Sequence, residues 1–72
     1  MYDSKEILKQ FGRNVKAERV RAGYTQEILA EKMGVNREFI SRIERGMENM
    51  SLAKIVTLAN FLQTNIQNLF RF

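Results

Sequence analysis

The chain has 72 residues and a formal net charge of +4, with twelve Lys and Arg against eight Asp and Glu and neither cysteine nor histidine. A domain of that size buries only about 60% of its unfolded surface, which leaves one core and argues against a deep enzyme cleft. The missing cysteine and histidine exclude disulfide frameworks, zinc sites with their usual ligands and histidine proton shuttles, whereas the basic balance favours polyanionic partners without naming one.

Apolar residues recur at helical spacing almost throughout and strictly alternating β-branched runs are absent, which predicts an all-α fold of about five helices. The first helix is expected over Ser4–Ala22, capped by Asp3 or Ser4, with Ile7, Leu8, Phe11, Val15 and Val20 on its inward stripe and Gly23 at its end. Gly12 interrupts it at a cost of up to about 1 kcal/mol, which implies either a close packing contact or a helix firm only beyond that point. A second helix begins at Gln26 behind the cap Thr25, carries Leu29 and Met33 on one face, and stops at Gly34. The third starts at Asn36, turns Ile40 and Ile43 inward and closes at Gly46. Ser51 then caps a fourth, mostly buried helix bearing Leu52, Ile55, Val56, Leu58, Ala59 and Leu62, expected to lie across the first three. Gln63 to Asn65 breaks it, and a short fifth helix, Ile66–Phe70, follows with Thr64 or Asn65 as cap. With no proline, repeat or linker, residues 1–72 are expected to form a single domain.

Residues 25–46 thus read as two short helices joined by a turn too tight for a side chain, the pattern of a helix-turn-helix. The outward face of the second of these helices carries Arg37, Glu38, Ser41 and Arg42, side chains suited to base edges. Arginine bonds O6 and N7 of guanine together and glutamate accepts from cytosine N4, each contact being worth about 1–3 kcal/mol of discrimination. A plainer reading is a solvated face with a Glu38–Arg42 pair at i, i+4, in which Glu38 orients Arg42.

Gln26, Leu29, Ala30, Gly34, Val35, Ile40, Ser41, Glu44 and Gly46, followed by Ser51-Leu52, Leu58-Ala59 and Leu62, resemble the phage repressor and Cro class of helix-turn-helix proteins, the XRE family. The resemblance implies a compact lambda-repressor-like DNA-binding domain. It implies that Gln26, with Thr25 beside it, contacts phosphate and braces a reading side chain, and that Asn36, Arg37, Glu38, Ser41 and Arg42 meet bases or the flanking backbone. It further implies that Arg19 sits between Glu44 and a phosphate, tying the first helix to the recognition helix, and that backbone N–H groups near Gly46 and Met47 hold a phosphate. Lys16, Arg13 and Arg45 add diffuse attraction on the ground of charge alone. The chain departs from the family pattern at Ile28, Phe39 and Met50, where a charged residue, a small hydroxyl residue and a proline are usual. Phe39 either meets a thymine methyl or folds back onto the domain.

The expected function is therefore a sequence-specific regulator of transcription that binds double-stranded DNA as a homodimer on a palindromic operator, since one recognition helix reads too few base pairs alone. Short members of the family that the chain resembles include Cro-like repressors and controllers of restriction–modification operons. Phe70 is expected in the core and Phe72 at the dimer surface. No enzyme activity, cofactor, metal or small-molecule effector is expected. With no apolar run near the roughly 20 residues that span a bilayer and no signal segment at Met1, the expected location is the cytoplasm. The alternative is an antitoxin or other protein-interaction module using Ile28, Phe39 and Phe72.

Overall fold

A computed structural model describes residues Met1–Phe72 as four α-helices and a closing 3₁₀ helix: α1 (Ser4–Arg21), α2 (Gln26–Met33), α3 (Arg37–Glu44), α4 (Leu52–Leu62) and the 3₁₀ helix Ile66–Phe70. Each α-helix begins with a side chain that accepts an otherwise unpaired backbone N–H. Asp3 takes that of Lys5, Thr25 that of Ile28, Asn36 that of Phe39 and Ser51 that of Lys54. Each also ends in the same doubled turn, in which the chain enters the left-handed region and returns two N–H groups to the last carbonyls. At α2 these bonds run from Gly34 to Glu31 and from Val35 to Ala30, with Gly34 at φ 70°. At α4 the left-handed residue is Gln63, φ 56°, rather than a glycine.

Ten residues form the core: Phe11, Val15, Leu29, Ala30, Ile40, Ile43, Leu58, Ala59, Leu62 and Leu69. They come from every element, so no helix can be removed without opening it. α3 lies against α1 and α2, and Gly12 shows why: a Cβ there would run into the Ile43 carbonyl oxygen and come within 2.6 Å of that of Glu44. Of the two explanations open for Gly12, the close contact is therefore the correct one.

Several expectations change. α1 stops at Arg21 with Ala22 as its cap residue, and Val20 faces outward at 60% exposure, because the buried stripe of Phe11 and Val15 continues through Glu18 and Arg19 and Val20 lies on the far side of the helix from Phe11. α4 packs mainly on α2 and the 3₁₀ helix rather than across α1 and α3, which leaves Leu52 and Val56 exposed. The fifth element is a 3₁₀ helix, and its cap residue Asn65 makes no side-chain bond. Thr64 instead donates its hydroxyl to Glu18 at 2.7 Å and accepts from Asn68 at 2.9 Å, joining the last segment to α1. Leu69, fully buried, takes the core place expected of Phe70. Phe70 lies half outside, its ring 5.4 Å from Phe11 and 6.2 Å from Phe72. Asn14 holds this tail by donating to the carbonyls of Leu69 and Arg71. No helix is long and apolar enough to cross a membrane.

Candidate nucleic-acid interface

At 100° per residue, Glu38, Ser41, Arg42 and Arg45 fall in one row of α3 opposite Ile40 and Ile43. Those two isoleucines are buried to within 1%, so the polar row is forced toward solvent. Asn36, Arg37 and Glu38 are exposed, and Ser41 and Arg42 half-buried. The base-reading candidates therefore share one surface, with Arg37 on its flank toward α2.

A shallow cleft beside that flank is lined by Arg19, Tyr24, Thr25, Gln26, Glu27 and Arg37. It gathers residues from α1, the turn before α2, α2 and α3, and its floor is a hydrogen-bonded hub on Glu44. Arg19 grips the Glu44 carboxylate with Nε on Oε2 at 2.6 Å and Nη2 on Oε1 at 3.1 Å, while its Nη1 donates to the Tyr24 carbonyl at 2.8 Å. Gln26 donates its amide to Glu44 Oε1 at 3.1 Å. With the two charged side chains only 10% and 5% exposed, this bidentate pair ties α1 to α3 and brings α2 in through Gln26. Arg19 pairs with Glu44, whereas Gln26 bonds Glu44 and none of the reading side chains that it was expected to brace.

The first turn of α2 can meet an anion. Thr25 Oγ1 accepts from Ile28 N–H, which leaves the hydroxyl proton free to donate, and the Gln26 and Glu27 N–H groups have no acceptor in the chain. Unpaired N–H groups at a helix N-terminus favour phosphate. Lys16 continues the surface along α1: it lies one turn from both Gly12 and Arg19, in the row that faces α3. Arg13 lies farther round α1 and lines a shallow outer groove with Lys16, Ala17, Val20 and Arg21, so Lys16 stands at the border of the two surfaces.

Beyond α3 the expected donors shift. The Met47 N–H is bonded to the Arg42 carbonyl at 2.8 Å and that of Gly46 to Ile43 at 3.0 Å, because both close the turn that ends the helix. The first backbone donors without a partner after α3 are those of Glu48 and Asn49.

The arginines of the row are not equivalent. Arg42 pairs with Glu48, Nε at 3.2 Å and Nη2 at 2.9 Å from the same Oε1. Arg45 pairs with Glu38 at 3.1 Å across two turns, so the expected Glu38–Arg42 pair is replaced by two others. Arg37 makes no ion pair. Phe39 folds back against the core, with the Lys54 ammonium 5.4 Å from its ring centre. Glu48 and Glu27 were not singled out by periodicity, since one sits in a turn and the other among the acids common in a first helical turn. The only sign of Glu48 in the sequence is an acid two residues past Gly46.

Residues 15–69 match the HTH_3 family, described as helix-turn-helix. The control protein C.SmaI of Serratia marcescens is 37% identical over 67 residues, which cover 93% of this chain and 76% of that protein. An uncharacterized HTH-type transcriptional regulator of Archaeoglobus fulgidus is 43% identical over 54 residues, 75% of this chain and 77% of that one. Among solved structures, the restriction-modification controller protein C.AhdI from Aeromonas hydrophila superposes with a TM-score of 0.87 at 35% identity, covering 96% of this chain and all of that one.

Proposed function

From the premise that this chain belongs to the HTH_3 helix-turn-helix family of DNA-binding transcriptional regulators, we propose that it binds a palindromic operator as a homodimer and controls a promoter by its position there. The kind of operon proposed is that of a restriction–modification controller, following what two of the similar proteins are named. One observation carries the reading: α3 buries Ile40 and Ile43 and thereby presents Asn36, Arg37, Glu38, Ser41 and Arg42 on one outer face, beside the open N-terminal turn of α2.

In this reading α3 enters the major groove. Arg37 and Arg42 approach guanine edges, Glu38 and Ser41 meet neighbouring base edges, and Asn36 touches the flanking backbone or a base. Thr25, Gln26 and the free N–H groups behind them hold one phosphate, with Arg19 beneath. Lys16, Arg45 and the backbone near Met47, through the Glu48 and Asn49 N–H groups, supply further phosphate contacts. Because Glu38 pairs with Arg45 at a site where both side chains are more than half exposed, that pair separates at little cost when DNA arrives.

Selection of bound duplexes from a random pool tests the reading, followed by sedimentation of the free protein and its complex. A recovered inverted repeat and a dimer on DNA are expected; equal retention of every duplex rejects sequence-specific regulation. Phe39 is committed to the core surface, which leaves Ile28 and Phe72 as the exposed apolar residues for the protein-interaction alternative.

A further inference from the structure

We propose that Glu48 is a positioning residue that fixes Arg42 for end-on recognition of a guanine. This inference rests on the reading that α3 lies in the major groove. It starts from the turn after α3, where Gly46 takes φ 76° and the Met47 N–H returns to the carbonyl of Arg42. That bond folds the chain back over the last turn of α3, so residue 48 arrives beside the Arg42 side chain although six positions separate them. Glu48 then accepts from both Nε and Nη2 of Arg42 through one oxygen.

A guanidinium has two forks, one along Nε and Nη2 and one at the tip along Nη1 and Nη2. Glu48 occupies the first. Nη1 has no partner in the chain, so the tip remains available, and it matches the O6 and N7 acceptors of guanine. The Arg42 side chain is 43% exposed and that of Glu48 24%, so the carboxylate sits on the inner side and the arginine faces out. An arginine held in this way loses less rotamer freedom on binding, and a carboxylate at its base disfavours its swinging onto a phosphate. Glu48 thereby converts a general anion binder into a base reader. Arg37, without an acid partner, has no such restraint.

The charge of Glu48 makes the test discriminating. As a mere surface acid, it weakens attraction to every duplex alike, and Glu48→Gln tightens all binding by one factor. As a positioning residue, it acts on one base pair of the half-site. Fluorescence anisotropy with the selected operator and its single-base variants, on wild type, Glu48→Gln, Arg42→Ala and the double variant, separates the two. Expected are loss of one guanine preference in Arg42→Ala, a drop of about five- to tenfold in that same preference in Glu48→Gln, and tighter binding of Glu48→Gln to random duplex. In the Arg42→Ala background, Glu48→Gln changes no preference. A uniform tightening by Glu48→Gln with its base preferences intact overturns the proposal, as does an Arg42→Ala protein that keeps every preference while still binding specifically. If wild type itself selects no sequence, it is the regulatory function that fails. Far-ultraviolet circular dichroism of each variant checks that these half-buried substitutions leave the fold in place.

Discussion

At the scale of single residues, Gly12 and Gly34 are both glycines for opposite reasons. Gly12 has ordinary helical geometry, but the backbone carbonyls of α3 occupy the space a Cβ needs. Gly34 has open space around it and a φ of 70°, so the obstacle there is conformational. Gly12→Ala gains up to about 1 kcal/mol of helix propensity and loses more to overpacking, typically about 1–3 kcal/mol, since carbonyls of a packed helix cannot swing aside. Gly34→Ala costs about 1–2 kcal/mol of left-handed strain and leaves the packing alone. Urea denaturation distinguishes them when each is combined with a truncation in α3: Gly12→Ala is partly relieved by a change that loosens α3 against α1, and Gly34→Ala is indifferent to it. The reading face yields a second residue-scale expectation on the proposed function. Arg37→Ala should lose about 1–3 kcal/mol of discrimination at particular bases, whereas Gln26→Ala should weaken all sequences more evenly. Repeating the duplex selection with each variant measures both.

At the scale of elements, the three helices of the interface share the apolar core through Phe11, Val15, Leu29, Ala30, Ile40 and Ile43 and are also tied by the Glu44 hub. Removing Glu44 leaves Arg19 buried and charged with only the Tyr24 carbonyl, and frees the Gln26 amide at the start of α2. Glu44→Ala is expected to destabilise the fold by about 3 kcal/mol or more, since breaking one side of a buried pair strands the other. A loss of stability of less than about 1 kcal/mol in urea denaturation shows that water replaces the carboxylate. What could be read from the sequence follows the range of the interaction. Helix starts were legible because Thr25, Asn36 and Ser51 each bond an N–H three residues on, and α2 and α3 ends because Gly34 and Gly46 announce themselves. Burial at the edge of a stripe was not: Leu52, Val56 and Phe70 have the right residue type, but whether a neighbour covers them depends on crossing angles that no local pattern encodes, whereas Val20, five residues past Val15, falls off the stripe by its spacing alone. The same applies to charge partners. An i, i+4 rule offers Glu38 to Arg42, while the turn after α3 brings Glu48 closer and leaves Glu38 to Arg45.

At the scale of the whole molecule, size limits how the proposed dimer can sit on DNA. The protomer measures 36 × 23 × 21 Å. Two such bodies in contact place their α3 helices about 34 Å apart, one turn of the duplex, without difficulty. Two turns, about 68 Å, would need each α3 at the far extremity of its protomer. Half-site centres in the operator are therefore expected about 10 base pairs apart. Inserting five base pairs between them turns one half-site to the opposite side of the duplex, where a rigid dimer cannot follow. Gel-shift titration of the inserted operator should show the affinity falling to that of a single half-site, a loss of tenfold or more. The salt dependence should fall with it, because half of the phosphate contacts are no longer made and each contributes about 0.9 to the slope of log affinity against log salt. Full affinity retained after the insertion, with an unchanged salt slope, would mean that the two protomers are joined by something more flexible than a packed interface, or that one protomer alone supplies the binding.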